Sequence, residues 1–115
     1  MKQFEEYFIL PQSQKDSEPS WFGFILSIKD NKINREDLLR YLEKEKIGSR
    51  LLFGGNIARQ PYFVGNENIK YRSVGKLANT DFVMNNTFWI GLYPGISKND
   101  IDSIVKSFVT FLSKR

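Results

Sequence analysis

The chain has 115 residues, 17 basic and 13 acidic side chains for a net charge of +4, and is 41% hydrophobic and 15% aromatic, with no cysteine and no histidine. This supports one globular core and excludes a disulfide framework, a thiolate metal site and imidazole acid–base chemistry, so no metal ligands are assigned. The dispersed lysines permit an anionic partner without pointing to nucleic acid, and no apolar run approaches the roughly 20 residues of a membrane span.

The start, MKQFEEYFILPQ, has acidic residues where a signal peptide would carry its apolar core, so a cytoplasmic protein is expected. Residues 1–20 read as an extended lead-in or linker, polar and proline-bounded over PQSQKDSEPS. WFGFILSIK follows as a strand, with Phe22, Phe24, Leu26 and Ile28 on one face and Trp21, Gly23, Ile25 and Ser27 on the other. Gly23 signals either close packing over the strand or a bulge. Asn34 caps a helix with Glu36 and Asp37 in its first turn, a buried stripe of Leu38, Leu39 and Leu42, and a stop at Gly48. Ser49 to Phe53 form a second strand, completing a strand–helix–strand crossover.

Residues 54–79 have no sustained periodicity, and loops of that length usually carry function or mobility. Asn79 or Thr80 then caps a short helix, DFVMNN, and Thr87 to Tyr93 form a third strand with Phe88, Ile90 and Leu92 on one face. Ser97 and Asp100 make a capping-box pair for a last helix, whose stripe is Ile101, Ile104, Val105, Phe108 and Leu112. The predicted fold is α+β: a small three-stranded sheet with helices packed on one face, forming a domain over residues 21–115. The other face, with Trp21 and Trp89, is expected to await a partner.

The stretch LLFGGNIARQPYF is the least ordinary part of the chain. A buried-looking strand ends in two glycines, followed at once by Asn56, Arg59, Gln60 and Pro61. Gly54 and Gly55 permit positive φ or close approach of a ligand, while Arg59 can fork onto a phosphate or carboxylate. The pattern is no phosphate-binding glycine-loop signature, and a glycine turn with surface polar groups accounts for it equally well. Arg50 and Arg72 could add positive charge, although each also reads as a solvated side chain. The carboxylate pairs Glu36–Asp37 and Glu43–Glu45 fall on the solvent side of a capped helix. Tyr62, Tyr71 and Tyr93 suit packing as well as stacking, and Lys70 and Lys76 have no neighbours in sequence that would activate them. No acid, base and nucleophile assemble, so no catalytic residue is assigned.

SWFGFILSI, RLLFGGNIARQP and NTDFVMNNTFWIGLYPGIS, in this order and spacing, resemble the C-terminal domain of the DegT/DnrJ/StrS group of fold-type I, aspartate-aminotransferase-like enzymes. The resemblance runs roughly from Phe8 to Leu112 and is closest to the nucleotide-sugar 3-dehydratases of lipopolysaccharide O-antigen synthesis, which act typically on CDP-4-keto-6-deoxyglucose. It implies that pyridoxal or pyridoxamine phosphate is held in the full-length enzyme by a large N-terminal domain. This domain alone is then expected to bind no cofactor and turn over no substrate. It also implies a nucleotide-diphosphate sugar as ligand, a separate iron–sulfur flavin reductase as functional partner, and a homodimeric full-length enzyme. In such enzymes the segment faces the interdomain cleft. By that resemblance Gly54, Gly55, Asn56, Arg59, Gln60 and Arg72 belong to the substrate side, and Phe53 walls the cofactor side. Asn79, Thr80 and Asp81 read as a purely structural helix start. The alternatives are the sister branch of 4-aminotransferases and a stand-alone anion-binding α+β module. An RNA-binding sheet face would need clustered basic residues that this chain lacks.

Overall fold

In the computed structural model, which describes residues 1–114, the alternating apolar residues of Gly23–Ile28 (β2) pair with Thr87–Gly91 (β4) in antiparallel register, Leu26 opposite Phe88 and Ile25 opposite Trp89. Leu26 and Phe88 share a face with Ile28 and Ile90, and all four are buried. Helix α1 (Arg35–Lys44) contributes Leu38 and Leu42 to the same cluster, and helix α3 (Lys98–Ser113) contributes Phe108. The core is therefore one sheet face covered by two helices.

The sheet has four strands, not the expected three. Phe8–Ile9 (β1) pairs with Ile28 and Ser27 at one edge, and Ser49–Leu51 (β3) pairs with β4 at the other, giving the order β1-β2-β4-β3 with every pair antiparallel. The added strand lies in what reads from sequence as lead-in, because two residues are too few to show a period of two. Its neighbours are firmly packed: Phe8 meets Phe88 and Phe108 edge-on, and Phe4 lies 5.8 Å from the Phe108 ring centroid. The crossover β2–α1–β3 does form, with β4 inserted between its two strands.

Strand β2 begins at Gly23. Phe22 is 77% exposed and does not share the core face as predicted; its ring instead lies 5.0 Å from that of Trp89. Of the two readings of Gly23, close packing holds, since a Cβ there would collide with the Trp89 ring. Strands β3 and β4 stop at Leu51 and Gly91, short of the predicted Phe53 and Tyr93.

The caps of α1 and α3 form as the local sequence requires. Asn34 accepts from the Asp37 amide at 3.1 Å, while Ser97 and Asp100 exchange the two bonds of a capping box. The stop after α1 belongs to Lys46, not Gly48. Lys46 adopts φ 61°, with its amide on Glu43 O at 2.9 Å and the Ile47 amide on Leu42 O at 2.8 Å, a double closure that needs one left-handed residue. Helix α2 (Ala78–Asn86) likewise starts after Leu77 at φ 53°, without a side-chain cap, so neither Asn79 nor Thr80 caps it. At its far end Arg35 Nη1 donates to Met84 O at 2.6 Å and Thr87 O at 3.2 Å, putting a cation where the helix dipole is negative. Ile101 of the predicted α3 stripe is exposed. Among the described residues no helix is long and apolar enough to cross a membrane.

Phe108 is fully buried against the rings of Phe4 and Phe8, in the cluster that holds the leucines of α1, whereas Val109 beside it is exposed. Phe108→Ala should lower the unfolding free energy by about 3–5 kcal/mol. Val109→Ala should change it by no more than about 0.5 kcal/mol. Urea denaturation of the two variants checks the pair.

Candidate functional site

Antiparallel pairing of β3 with β4 puts the exit of β3 beside the entry to β4, with Leu51 opposite Phe88. The glycine loop leaves β3 at that end, and α2 feeds β4 from the same end. Two segments more than twenty residues apart in sequence therefore meet. Phe53 stands at the exit at φ 48° with 82% of its surface exposed, an unusual conformation for an aromatic residue. Gly54 has nothing within 4 Å of where a side chain would start. Gly55 has φ 62°, and a Cβ there would lie 2.5 Å from Met84 Cγ. The fold itself thus requires Gly55, whereas nothing inside the domain explains Gly54.

The polar residues that follow are organised by α2. Asn56 is only 1% exposed. Its oxygen accepts from the Ala58 amide at 3.1 Å, opening a short 3₁₀ turn, Ile57–Arg59, and its amide donates to Asp81 at 2.7 Å. Asp81 also receives Arg59 Nε at 3.2 Å and Nη2 at 3.0 Å. Gln60 donates its side-chain amide to Gly54 O, closing the loop on itself. Arg59 Nη1 has no partner among the described residues.

These bonds shift the charges. The hydrogen bond from Arg59, and then that from Asn56, hold the Asp81 carboxyl below its ordinary value of 3.8, and the same bond holds Arg59 above its own. Asp100 is lowered from 3.8 by the Ser97 hydroxyl and amide.

Arg59 and Asp81 line a shallow cleft of about 570 Å³ together with Tyr71, Ser73 and Lys76. Its far wall is the long loop, which is braced by edge-on contacts of Phe63 with Tyr62 and Tyr71. Arg72 is exposed in that loop and is not brought onto Arg59 or Asn56. Phe53 faces a separate apolar cleft of about 210 Å³ with Trp21, Phe22 and Trp89, on the sheet face that α1 and α3 leave uncovered. The structure thus gathers Gly54, Gly55, Asn56, Arg59 and Gln60 around one turn and leaves Phe53 and Arg72 outside it.

Sequence reasoning missed Asp81 as part of this group and gave it only a place in the helix start. One signal was available: it is the only carboxylate between Glu67 and Asp100, three positions after the start of a helix that follows a basic loop.

Residues 1–109 match the model of the DegT/DnrJ/EryC1/StrS aminotransferase family. Over 107 residues the chain is 50% identical to the lipopolysaccharide biosynthesis protein RfbH of Salmonella typhimurium, covering 92% of this chain and 24% of that protein. It is 46% identical over 107 residues to a dTDP-4-dehydro-2,6-dideoxy-D-glucose 3-dehydratase of Saccharopolyspora spinosa, covering 92% of this chain and 22% of that one. The chain therefore spans about a quarter of the length of these relatives. Its fold is that of a quarter of the E. coli GDP-4-keto-6-deoxy-D-mannose-3-dehydratase solved with hydrated PLP, with a TM-score of 0.78 at 23% identity over 92% of this chain and 27% of that one.

Gly55→Ala should destabilise the chain by about 1–3 kcal/mol through its left-handed φ and the contact with Met84. Gly54→Ala should cost less than about 1 kcal/mol, and thermal melts separate the two. The folded carboxylates of Asp81 and Asp100 hold their charge more tightly than in the unfolded chain. Their stabilising effect is complete above 3.8 and is lost as pH falls through that value towards the lower folded one. Urea midpoints measured down to about pH 2.5 should fall less steeply for the Asp81→Asn/Asp100→Asn double variant than for the wild type, and equal slopes would contradict the pairing.

Proposed function

The chain belongs to the DegT/DnrJ/EryC1/StrS aminotransferase family, and from that premise we propose that it is the C-terminal domain of a nucleotide-sugar 3-dehydratase dependent on pyridoxal or pyridoxamine phosphate. The full-length enzyme serves lipopolysaccharide O-antigen deoxysugar synthesis, and its substrate is a nucleotide-diphosphate sugar. The names of the two relatives, one a lipopolysaccharide biosynthesis protein and one a sugar 3-dehydratase, support this reading. The enzyme is a cytoplasmic homodimer whose product passes to an iron–sulfur flavin reductase.

Within that enzyme this domain supplies one wall of the substrate cleft. The observation that carries the assignment is Arg59: its guanidinium is fixed along one edge while Nη1 is left without a partner at the rim of an open cleft. A free guanidinium nitrogen suits a diphosphate or sugar oxygen. Gln60 and Asn56 hold the turn that carries it, Arg72 adds positive charge at longer range, and Gly54 gives the ligand clearance. Gly55 lets the turn close on Met84 beneath it.

The residues present do not fit a holding site for the cofactor. Every lysine among the described residues is exposed, and the sequence has no imidazole. The groups that hold the cofactor and break the C3–O bond therefore belong to the rest of the enzyme. Phe53 and the neighbouring rings of Trp21, Phe22 and Trp89 form the apolar flank that the N-terminal domain covers, Phe53 on the side nearest the cofactor.

The test is Arg59→Ala in the full-length enzyme. The Michaelis constant for the nucleotide sugar should rise at least about tenfold, with a smaller change in kcat. Gly54→Ala should raise it several-fold without lowering the melting temperature. An unchanged KM and turnover in Arg59→Ala would refute the assignment.

A further inference from the structure

We infer that Asp81 is a positioning residue for substrate binding: its carboxylate clamps Arg59 along the Nε–Nη2 edge and so aims Nη1 at the ligand. The inference rests on the reading of Arg59 as a substrate-binding residue and adds the reason its geometry is reproducible.

Three observations carry it. First, the clamp is two-pronged, with Nε at 3.2 Å and Nη2 at 3.0 Å from the two carboxylate oxygens. Two N–H donors on one carboxylate fix the plane of a guanidinium, whereas a single bond leaves it free to rotate. Second, the carboxylate is itself held. Asp81 sits in the first turn of α2, and the almost fully buried Asn56 donates to it at 2.7 Å while also capping the turn that carries Arg59. One amide thereby sets the positions of both partners. Third, the pair lies at the surface, with the Arg59 side chain 55% and the Asp81 side chain 28% exposed. Ion pairs in such settings contribute little to stability, so a pair braced by a buried amide is better explained by the orientation it imposes. The cleft that Arg59 and Asp81 line also carries Tyr71, Ser73 and Lys76, hydrogen-bond donors suited to phosphate or sugar oxygens.

The experiment is a double-mutant cycle in the full-length enzyme with Arg59→Ala, Asp81→Asn and the double variant, reading KM, kcat and melting temperature for each. Asp81→Asn is close to isosteric and keeps an oxygen for Asn56. It should raise KM about three- to thirtyfold with kcat changed less than about threefold. The double variant should be no worse than Arg59→Ala alone, because without Arg59 there is nothing left to position. If Arg59→Ala leaves KM unchanged, the reading of Arg59 fails and the inference falls with it. If Arg59→Ala raises KM while Asp81→Asn does not, or if the two effects multiply, the inference alone is overturned. Should Asp81→Asn unfold the enzyme, Arg59→Lys decides. Lysine keeps the charge and can meet Asp81, but has no second edge to present. Its KM should lie within about threefold of the Arg59→Ala value, and a KM near wild type overturns the clamp.

Discussion

The Asp81 carboxylate accepts from Asn56 and from two nitrogens of Arg59, and the local structure around the glycine loop depends on that convergence. It joins a loop with almost no regular structure to the first turn of α2. The other end of α2 is tied by Arg35 to the backbone at Met84 and Thr87, where β4 begins. A continuous chain of hydrogen bonds thus runs from the loop tip to the central strand. In energy a surface pair of this kind contributes little. Its importance lies in direction: it converts a long, rotatable side chain into a donor with a set orientation.

Topology makes this convergence possible. Strand β4 lies between β2 and β3 and runs antiparallel to both, so the chain leaves β3 and enters β4 at the same end of the sheet. Had β3 instead paired with β2 directly, α2 would not be fixed beside the exit of the glycine loop. The core on the covered face is built from phenylalanines, leucines and isoleucines of five elements and two flanking segments, and it provides the rigid base from which the loop projects. The uncovered face keeps its aromatic residues at the surface, in keeping with a chain about a quarter the length of its relatives.

What the sequence reveals about this fold divides along the range of the interactions. The Asn34 cap and the Ser97–Asp100 box are settled within three residues, and both are legible. The alternation of β2 is legible from Gly23 onward, but it says nothing about where the strand begins, so the pattern places Phe22 on a face that its exposure to solvent contradicts. Strand β1 is too short for any period, and the left-handed residues Lys46 and Leu77 carry side chains that normally avoid that conformation. At the site, the glycines and Arg59 stand out as residue types, and the family strings can be recognised. The division of labour between Gly54 and Gly55 depends on Met84, and the role of Asn56 and Asp81 depends on a pairing across 25 positions; no local pattern encodes either.

The most direct test is a crystal structure of the full-length enzyme with a bound nucleotide sugar. Arg59 Nη1 should lie about 2.7–3.2 Å from a diphosphate or sugar oxygen of the ligand, with Nε and Nη2 still on the Asp81 carboxylate. A ligand bound out of reach of Arg59, or an Arg59 swung away from Asp81 to meet it, would contradict the account.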